Sequence, residues 1–335
     1  MEVVALVVIG LIGGSLLLTV VQQTREPARR VKCEDRLLAA GFAIQYATAQ
    51  RPNEEYLGYV IEQAGSPVGR RQKIGWAFAL LPYLDSPGLL QALHDRQAEP
   101  SKSEKPKADL EPGPWNALAE KFGPDGEREL RGQTPKTYIP SFLCPDDPRL
   151  ARRPKQPWLS YVANCGQPDA DPTPKFPADW PANGIFMERF RDRDPAHAVT
   201  PGFVEGGDGL SYTFLLSENA DAGLWTDSSE AQCGFLWCVG SATGELRTED
   251  PLLAINQQRG AGDGSPRYAR PASFHPHGVN VIYADGRTQF LADNLPYRLY
   301  VTFMTPDGQN VRKPGGDQLL EPPYREERRP AKKEP

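Results

Sequence analysis

The chain has 335 residues and a net charge of −5, with acidic and basic residues mixed along its length. Because a nucleic-acid-binding protein needs a clustered basic face, this distribution argues against a nucleic-acid partner. The 34 prolines and 31 glycines, beside 39% hydrophobic residues, predict a body of loops and short strands rather than a helical bundle.

The first element is an uncharged run of nineteen residues, Val3–Val21, thirteen of which are Val, Leu or Ile. As a helix it would span just under ~30 Å, the thickness of one hydrocarbon core. We therefore predict a transmembrane helix over residues 1–24. A cleaved secretory signal is the alternative, although no basic residue precedes the run and it exceeds the usual ~7–15 apolar residues. A buried core helix fits less well, because the run has no polar face.

The helical pattern continues through residues 25–52. Apolar and small residues recur at helical spacing at Leu37, Gly41, Ile44 and Thr48. Arg51-Pro52 ends the pattern. Pro27 is expected to kink this long helix near the membrane surface. The second half of the helix should lie on the globular body.

Residues 53–311 are predicted to form a β-rich domain that contains a charged loop insertion at 97–114. A short strand or helix within Ile74–Leu93 should pack on the first helix. Residues 312–335 are rich in proline and charge and predict a disordered tail. The predicted strands are Trp158–Ala163, Gly184–Phe190, Tyr212–Ser217, Gly234–Val239, Val279–Tyr283 and Thr288–Leu291.

The last two predicted strands flank Asp285-Gly286, which is a strong hairpin signal. An extended strand would separate His275 from Asp285 by roughly 15–20 Å, which argues against one metal or catalytic site. We expect Asp285 and Gly286 to form the turn, and His275 to make a hydrogen bond where the strand begins.

No known catalytic motif is present: the sequence lacks G-x-S-x-G, H-E-x-x-H, a P-loop and a Rossmann fingerprint. We therefore expect no enzyme activity and no cofactor. Asp208 and Asp263 lie in glycine-rich loops that could ligate calcium, although such loops usually serve as turns.

The five cysteines include no C-x-x-C pair, so zinc binding through cysteine is not expected. If the body lies outside the cytoplasm, disulfides are the expected use. Cys233 and Cys238 are close enough in sequence to close a small loop. The sequence leaves the pairing of Cys165, Cys233 and Cys238 open.

Tryptophans suggest an alternative function. Trp158, Trp180, Trp225 and Trp237 could stack on sugar rings, which would make the protein an anchored extracytoplasmic domain that binds carbohydrate or another ligand. Tryptophan in a β-rich body usually belongs to the core instead. The alternative therefore requires exposed, coplanar rings on one face.

Several motifs occur in a distinctive order. They are Arg25–Arg30 followed by Cys33, Phe142–Pro148 around Cys144, Ser160–Asn164, Asp208–Ser211 with Leu215–Glu218, and Ser273–Pro276 leading to Asp285-Gly286. In this order the chain resembles a large bacterial family of unknown function (domain of unknown function 1559) with a prepilin-like N-terminus and a C-terminal H-x9-DG motif. Members of that family look like type IV pilins and the pseudopilins of type II secretion systems.

The resemblance implies an α+β fold, in which a long N-terminal helix, half transmembrane, packs on a mainly antiparallel sheet with many loops. It also implies a Cys33–Cys144 disulfide, an extracytoplasmic body and self-assembly through the helix. Glu2 aligns with a glutamate of the family pattern, which would neutralise the N-terminal amine of a neighbouring subunit. The family's Gly-Phe processing site is absent, so either the start is placed late or this member is not processed.

The resemblance conflicts with the charge around the anchor. Arg25, Arg29, Arg30 and Lys32 follow the apolar run, and the positive-inside rule would place them, with the body, in the cytoplasm. We follow the resemblance. The sequence thus predicts a membrane-anchored, pilin-like or pseudopilin-like structural or assembly protein, whose partner and oligomeric state stay open.

Overall fold

The computed structural model describes residues 2–62, 73–84, 139–152, 157–171, 173–189, 198–225, 227–238, 255–256 and 269–320. For residues 2–25, 62, 73 and 74 it describes the backbone alone. The predicted charged loop at 97–114 and Asp263 lie outside the described residues.

The longest element is helix α1, Glu2–Ala49, which runs through Pro27 as one helix of 48 residues. It ends just before the predicted stop at Arg51-Pro52. Buried residues recur every three or four positions along its second half, at Cys33, Leu37, Ala40, Ile44 and Ala47. This periodicity gives the half-helix one apolar face, which packs on the body.

Within the described part of the chain, none of the helices is both long enough and apolar enough to cross a membrane. The predicted anchor, Val3–Val21, falls on residues whose side chains lie outside that part. The transmembrane assignment therefore stays a prediction.

The fold is α+β, as predicted. After α1 the elements are β1 (Val60–Glu62), β2 (Lys73–Gly75), α2 (Trp76–Ala79), α3 (Arg149–Arg152), β3 (Tyr161–Gly166), β4 (Glu188–Arg189), α4 (Pro201–Gly206), β5 (Phe214–Glu218), α5 (Glu230–Cys233), β6 (Gly234–Leu236), β7 (Gly278–Tyr283), β8 (Thr288–Ala292) and α6 (Tyr297–Met304). Single 3-10 turns lie at Leu81–Tyr83, Pro140–Phe142 and Leu210–Tyr212.

The main sheet is mixed and has five strands in the order β6-β3-β5-β7-β8. Strand β3 pairs in parallel with β6, whereas the other three pairings are antiparallel. Strands β3, β5 and β7 are buried along their whole length, because the sheet is covered on both faces. A smaller sheet has the order β2-β1-β4.

Several sequence-based boundaries need correction. The strand predicted at Trp158–Ala163 is β3, Tyr161–Gly166, and the strand predicted from Tyr212 begins at Phe214 because Tyr212 ends a 3-10 turn. The predicted strand Gly184–Phe190 contains only the two-residue β4, because Ile185 and Phe186 donate their backbone N–H groups to the Asn164 carbonyl instead of to a strand partner. Residues 312–320, predicted to belong to a disordered tail, are ordered instead, since Arg312 and Leu319 form a β-bridge and Leu320 is buried. The remaining tail, 321–335, lies outside the described residues.

Candidate functional site

The H-x9-DG motif is divided by strand β7. His275 comes just before β7, and Asp285-Gly286 form the turn to β8. Gly286 has φ 90°, a conformation that favours glycine, and its N–H donates to the Tyr283 carbonyl at 2.9 Å. The Asp285 carboxylate accepts from the Arg287 N–H at 2.9 Å. His275 and Asp285 therefore lie at opposite ends of β7 and do not form a common metal or catalytic site.

Both ends of this motif contact helix α1. At one end the His275 Nδ1 atom lies 2.9 Å from Glu26 Oε1. At the other, Gln45 Nε2 donates to the Ala284 carbonyl at 3.1 Å. Glu26 and Gln45 are separated by roughly 28 Å along the helix axis. The motif thus holds α1 along the length of β7 and fixes both the direction and the register of the helix on the sheet.

His275 has no exposed side-chain surface and lies among three carboxylates from three segments. Besides Glu26, its Nδ1 atom lies 3.8 Å from Asp146 Oδ2, and its Nε2 atom lies 3.5 Å from Glu218 Oε1. Burial lowers the pKa of His275, but the hydrogen bonds and charges of Glu218 and Glu26 outweigh it and raise the pKa above its ordinary value. We call this group of four side chains the histidine junction.

Glu218 is placed by strand pairing. It ends β5, and its carboxylate accepts from the backbone N–H of Asn280 at 2.8 Å and from the Asn280 side-chain amide at 3.2 Å. The loop before β7 is held by Ser273, whose hydroxyl accepts from the His275 N–H and donates to the Gly278 carbonyl. The ring of His275 is therefore positioned by contacts from both β5 and β7.

The predicted disulfide between Cys33 and Cys144 is confirmed, with a Cα–Cα distance of 4.7 Å. It joins α1 to the loop that also carries Asp146. Two hydrogen bonds support this link: Arg36 donates to the Leu143 carbonyl at 2.7 Å, and the Tyr161 hydroxyl donates to the Cys33 carbonyl at 2.9 Å. The disulfide and the histidine junction are adjacent, since the Cys144 sulfur lies 3.6 Å from His275 Nε2.

The other cysteines form no disulfide in the described part of the chain. Cys165 and Cys233 are fully buried, and Cys238 is partly exposed. Burial raises the pKa of the Cys165 and Cys233 thiols well above the ordinary value. Since a thiolate is the reactive form of cysteine, neither of these two thiols is a candidate nucleophile.

Among the residues that the structure describes, two groups of side chains have a geometry that could hold a metal ion. One comprises Cys33, Cys144, Glu218 and His275, but its sulfur atoms are bonded to each other and offer no thiolate. The other comprises Glu26, Asp146 and His275.

A pocket of about 10 Å³ lies beside Cys144 and Glu218. It has room for one water molecule and none for an organic substrate.

The remaining predicted site residues lie elsewhere. Asp208 accepts from the Gly308 N–H at 2.8 Å and from the Thr305 hydroxyl at 3.2 Å, so its carboxylate connects two loops. Asp263 lies outside the described residues, and Glu2 is described by its backbone alone. The partners of His275, namely Glu26, Asp146 and Glu218, were not predicted, although all three lie in motifs that carried the family resemblance.

The fold and the histidine junction define an α+β protein built on one long N-terminal helix that is fastened to a mixed sheet. Residues 22–297 match the family described as "Protein of unknown function (DUF1559)", and the chain belongs to this family. The match includes every residue of the histidine junction and the Cys33–Cys144 disulfide. No curated protein and no solved structure matches the chain.

Proposed function

We propose that this protein is a membrane-anchored structural or assembly protein of the pilin or pseudopilin kind, with its body on the extracytoplasmic side. One observation carries the proposal: the apolar run Val3–Val21 and the docked half of α1 belong to one helix, Glu2–Ala49. A continuous helix connects an anchor rigidly to a body, whereas a flexible linker would leave the two independent.

The half of α1 that packs on the body, residues 26–49, is held by specific bonds in addition to apolar packing. Within the described residues, a covalent bond at Cys33, a buried histidine facing Glu26 and a hydrogen bond from Gln45 hold it along its length. Such fastening suits a helix that transmits the position of the body to a neighbouring subunit or to the membrane.

The disulfide supports the proposed orientation. Disulfides form and persist in oxidising compartments, and the Cys33–Cys144 bond covalently links α1 to the body.

The basic residues after the apolar run also have partners in the body. Arg29 pairs with Asp146 at 3.6 Å, and the Arg30 guanidinium lies 4.5 Å from the centre of the Phe290 ring. These contacts give the basic flank a role that is independent of membrane topology.

The outward face of α1 offers a surface for self-assembly. Val31, Phe42 and Tyr46 are 48%, 55% and 59% exposed, and they lie on the side of the helix away from the sheet. Tyr83 extends this surface, since its ring packs edge-on against Tyr46 with centroids 5.8 Å apart. Exposed apolar side chains grouped on one helix face are typical of contacts with another helix.

The carbohydrate-binding alternative has less support. Among the described tryptophans, Trp76, Trp225 and Trp237 are buried. Trp158 and Trp180 are partly exposed, and arginine guanidinium groups lie over their rings, at 4.8 Å from Arg149 and 5.0 Å from Arg312. The described part of the chain therefore offers no open platform of tryptophan rings.

Membrane extraction tests the anchor. The full chain, carrying a C-terminal tag, is expected to stay with the membrane pellet in alkaline carbonate and to dissolve only in detergent. Replacing both Leu11 and Ile12 by Arg costs about 2.5–3.5 kcal/mol each at the centre of a membrane helix, so this variant should leave the pellet. The matched control places the same two arginines at Leu299 and Leu319, which are exposed on the body. Recovery of the unaltered chain from the aqueous fraction would contradict the proposal.

Cysteine cross-linking tests self-assembly. Phe42→Cys should give a disulfide-linked dimer in non-reducing gels of membranes, because the outward faces of neighbouring helices would meet. Tyr212→Cys is the control: Tyr212 is 62% exposed but lies in the 3-10 turn before β5. Equal cross-linking at both positions, or none at position 42, would count against assembly through α1.

A further inference from the structure

One edge of the histidine junction brings three potential metal ligands together. His275 Nδ1, Glu26 Oε1 and Asp146 Oδ2 come from three separate segments, and their ligand atoms all lie within 4.8 Å of one another. The Nδ1 atom lies 2.9 Å from the Glu26 oxygen and 3.8 Å from the Asp146 oxygen. Ligands that bind one ion tetrahedrally at about 2.0–2.2 Å lie roughly 3.3–3.6 Å from one another, so small side-chain shifts would bring these three atoms around one ion.

We propose that His275, Glu26 and Asp146 bind a divalent transition-metal ion, with Zn²⁺ as the best match. One imidazole nitrogen with two carboxylates suits zinc and manganese better than calcium or magnesium, which prefer oxygen ligands alone. The two carboxylates supply two negative charges, which a divalent ion neutralises. Water completes the coordination shell. This inference is independent of the proposed membrane anchor.

The other side of the imidazole ring supports this assignment. A histidine that binds a metal through one nitrogen usually donates its other N–H to a carboxylate, which fixes the tautomer and the orientation of the ring. Glu218 Oε1 lies 3.5 Å from Nε2 and is itself held by Asn280. With the proton on Nε2, the lone pair of Nδ1 points to Glu26 and Asp146. Glu218 is therefore a positioning residue for the proposed site.

The nitrogen ligand of the proposed site is buried, whereas the two carboxylates are partly accessible to solvent. The His275 side chain has no exposed surface, whereas the side chains of Glu26 and Asp146 are 35% and 17% exposed. An ion can therefore reach the carboxylates from solvent before it meets the ring. Arg29 approaches Asp146 at Oδ1, and the oxygen that faces His275 is Oδ2, so the two contacts use different atoms.

The test is calorimetric titration of the full chain in detergent, stripped with a chelator, with Zn²⁺ as the probe. We expect one ion per chain, at least a tenfold loss of affinity in Asp146→Asn and in Glu26→Gln, and a loss of about 10–100-fold in Glu218→Gln. His277→Asn and Asp285→Asn are controls, because these residues flank β7 outside the junction, and they should bind as the parent does.

A second readout uses Co²⁺ in place of Zn²⁺. The parent should show visible d–d absorption that saturates at one equivalent and is absent in Asp146→Asn. This carboxylate variant keeps His275 in place, so it tests the site even if substitutions of the buried histidine fail to fold. A folded parent that binds neither ion stoichiometrically would overturn the proposal, leaving a protonated histidine paired with carboxylates. Binding that survives in both Asp146→Asn and Glu26→Gln would overturn it as well.

Discussion

Gly41 of α1 lies directly against Ile282 of β7, so that a β-carbon at position 41 would overlap the Cδ1 atom of Ile282. Ile282 is fully buried, which limits how far it can move aside. The contact lies on the same strand as the H-x9-DG motif, between its two ends. The missing side chain therefore lets the helix approach the sheet closely between the His275–Glu26 contact and the Gln45–Ala284 hydrogen bond.

Gly41→Ala is expected to destabilise the protein despite the better helix propensity of alanine, which is worth about 1 kcal/mol. Overpacking a closed core costs about 1–3 kcal/mol, and Ile282→Val alone should cost about 0.5–1.5 kcal/mol. Because valine lacks the clashing Cδ1 atom, the double variant should lose less stability than the sum of the two losses. Denaturant unfolding of all four proteins measures this coupling. Strict additivity would show that the helix can shift to relieve the clash.

Removing the disulfide should also have a large effect. Cys33 and Cys144 are 111 residues apart in sequence, and a cross-link over such a loop contributes about 4–5 kcal/mol in the chain-entropy model. The double variant Cys33→Ser with Cys144→Ser should therefore unfold at a much lower denaturant concentration. Reductant should lower the midpoint of the parent and leave that of the double variant unchanged. Equal sensitivity of both proteins to reductant would contradict the prediction.

Local patterns gave much of the fold correctly. The end of α1, the strands β5 to β8 and the turn at Asp285-Gly286 all depend on residues close in sequence, such as the apolar spacing around Leu37 and Ile44. The hydrogen bond expected from His275 where its strand begins is also present. The disulfide between Cys33 and Cys144 required the family resemblance, because five cysteines allow several pairings.

The histidine junction could not be derived from the sequence. Glu26 and His275 are separated by 249 positions, and no local rule relates them. Glu218 faces the ring only because β5 pairs with β7, a register that depends on the whole sheet. The boundary of the tail failed for a similar reason, since the composition of residues 312–320 does not reveal the bridge from Arg312 to Leu319.

A buried carboxylate cluster should make stability fall as pH rises. Burial, then the charge of Asp169, raises the pKa of both Glu230 and Asp179 well above the usual values. The folded state therefore holds protons that the unfolded chain releases, and unfolding becomes easier as pH rises above the ordinary carboxyl pKa.

Glu230→Gln should accordingly raise the melting temperature at pH 8 more than at pH 4. The glutamine keeps an oxygen for the Asp169 N–H, which donates to Glu230 at 3.1 Å. Glu54→Gln is the control, because it removes the same charge from an exposed position outside the cluster. Melting curves between pH 4 and pH 8 measure the difference. A parallel pH dependence in Glu230→Gln and the parent would refute the assignment.

Substitution of the two histidines that precede β7 should affect stability to very different extents. His275 is buried among carboxylates, whereas His277 is exposed at φ 66°. Without a bound metal ion, the raised pKa of His275 favours a protonated ring, so His275→Ala leaves the buried Glu218 carboxylate without its ion-pair partner, and such a change costs about 3–5 kcal/mol. His277→Asn should change stability by no more than about 0.5 kcal/mol, because asparagine tolerates positive φ. Adding Glu218→Gln to His275→Ala should recover part of the loss, since it removes the stranded charge. Denaturant unfolding in the presence of a chelator measures all four proteins, and equal losses at the two histidines would exclude a special role for His275.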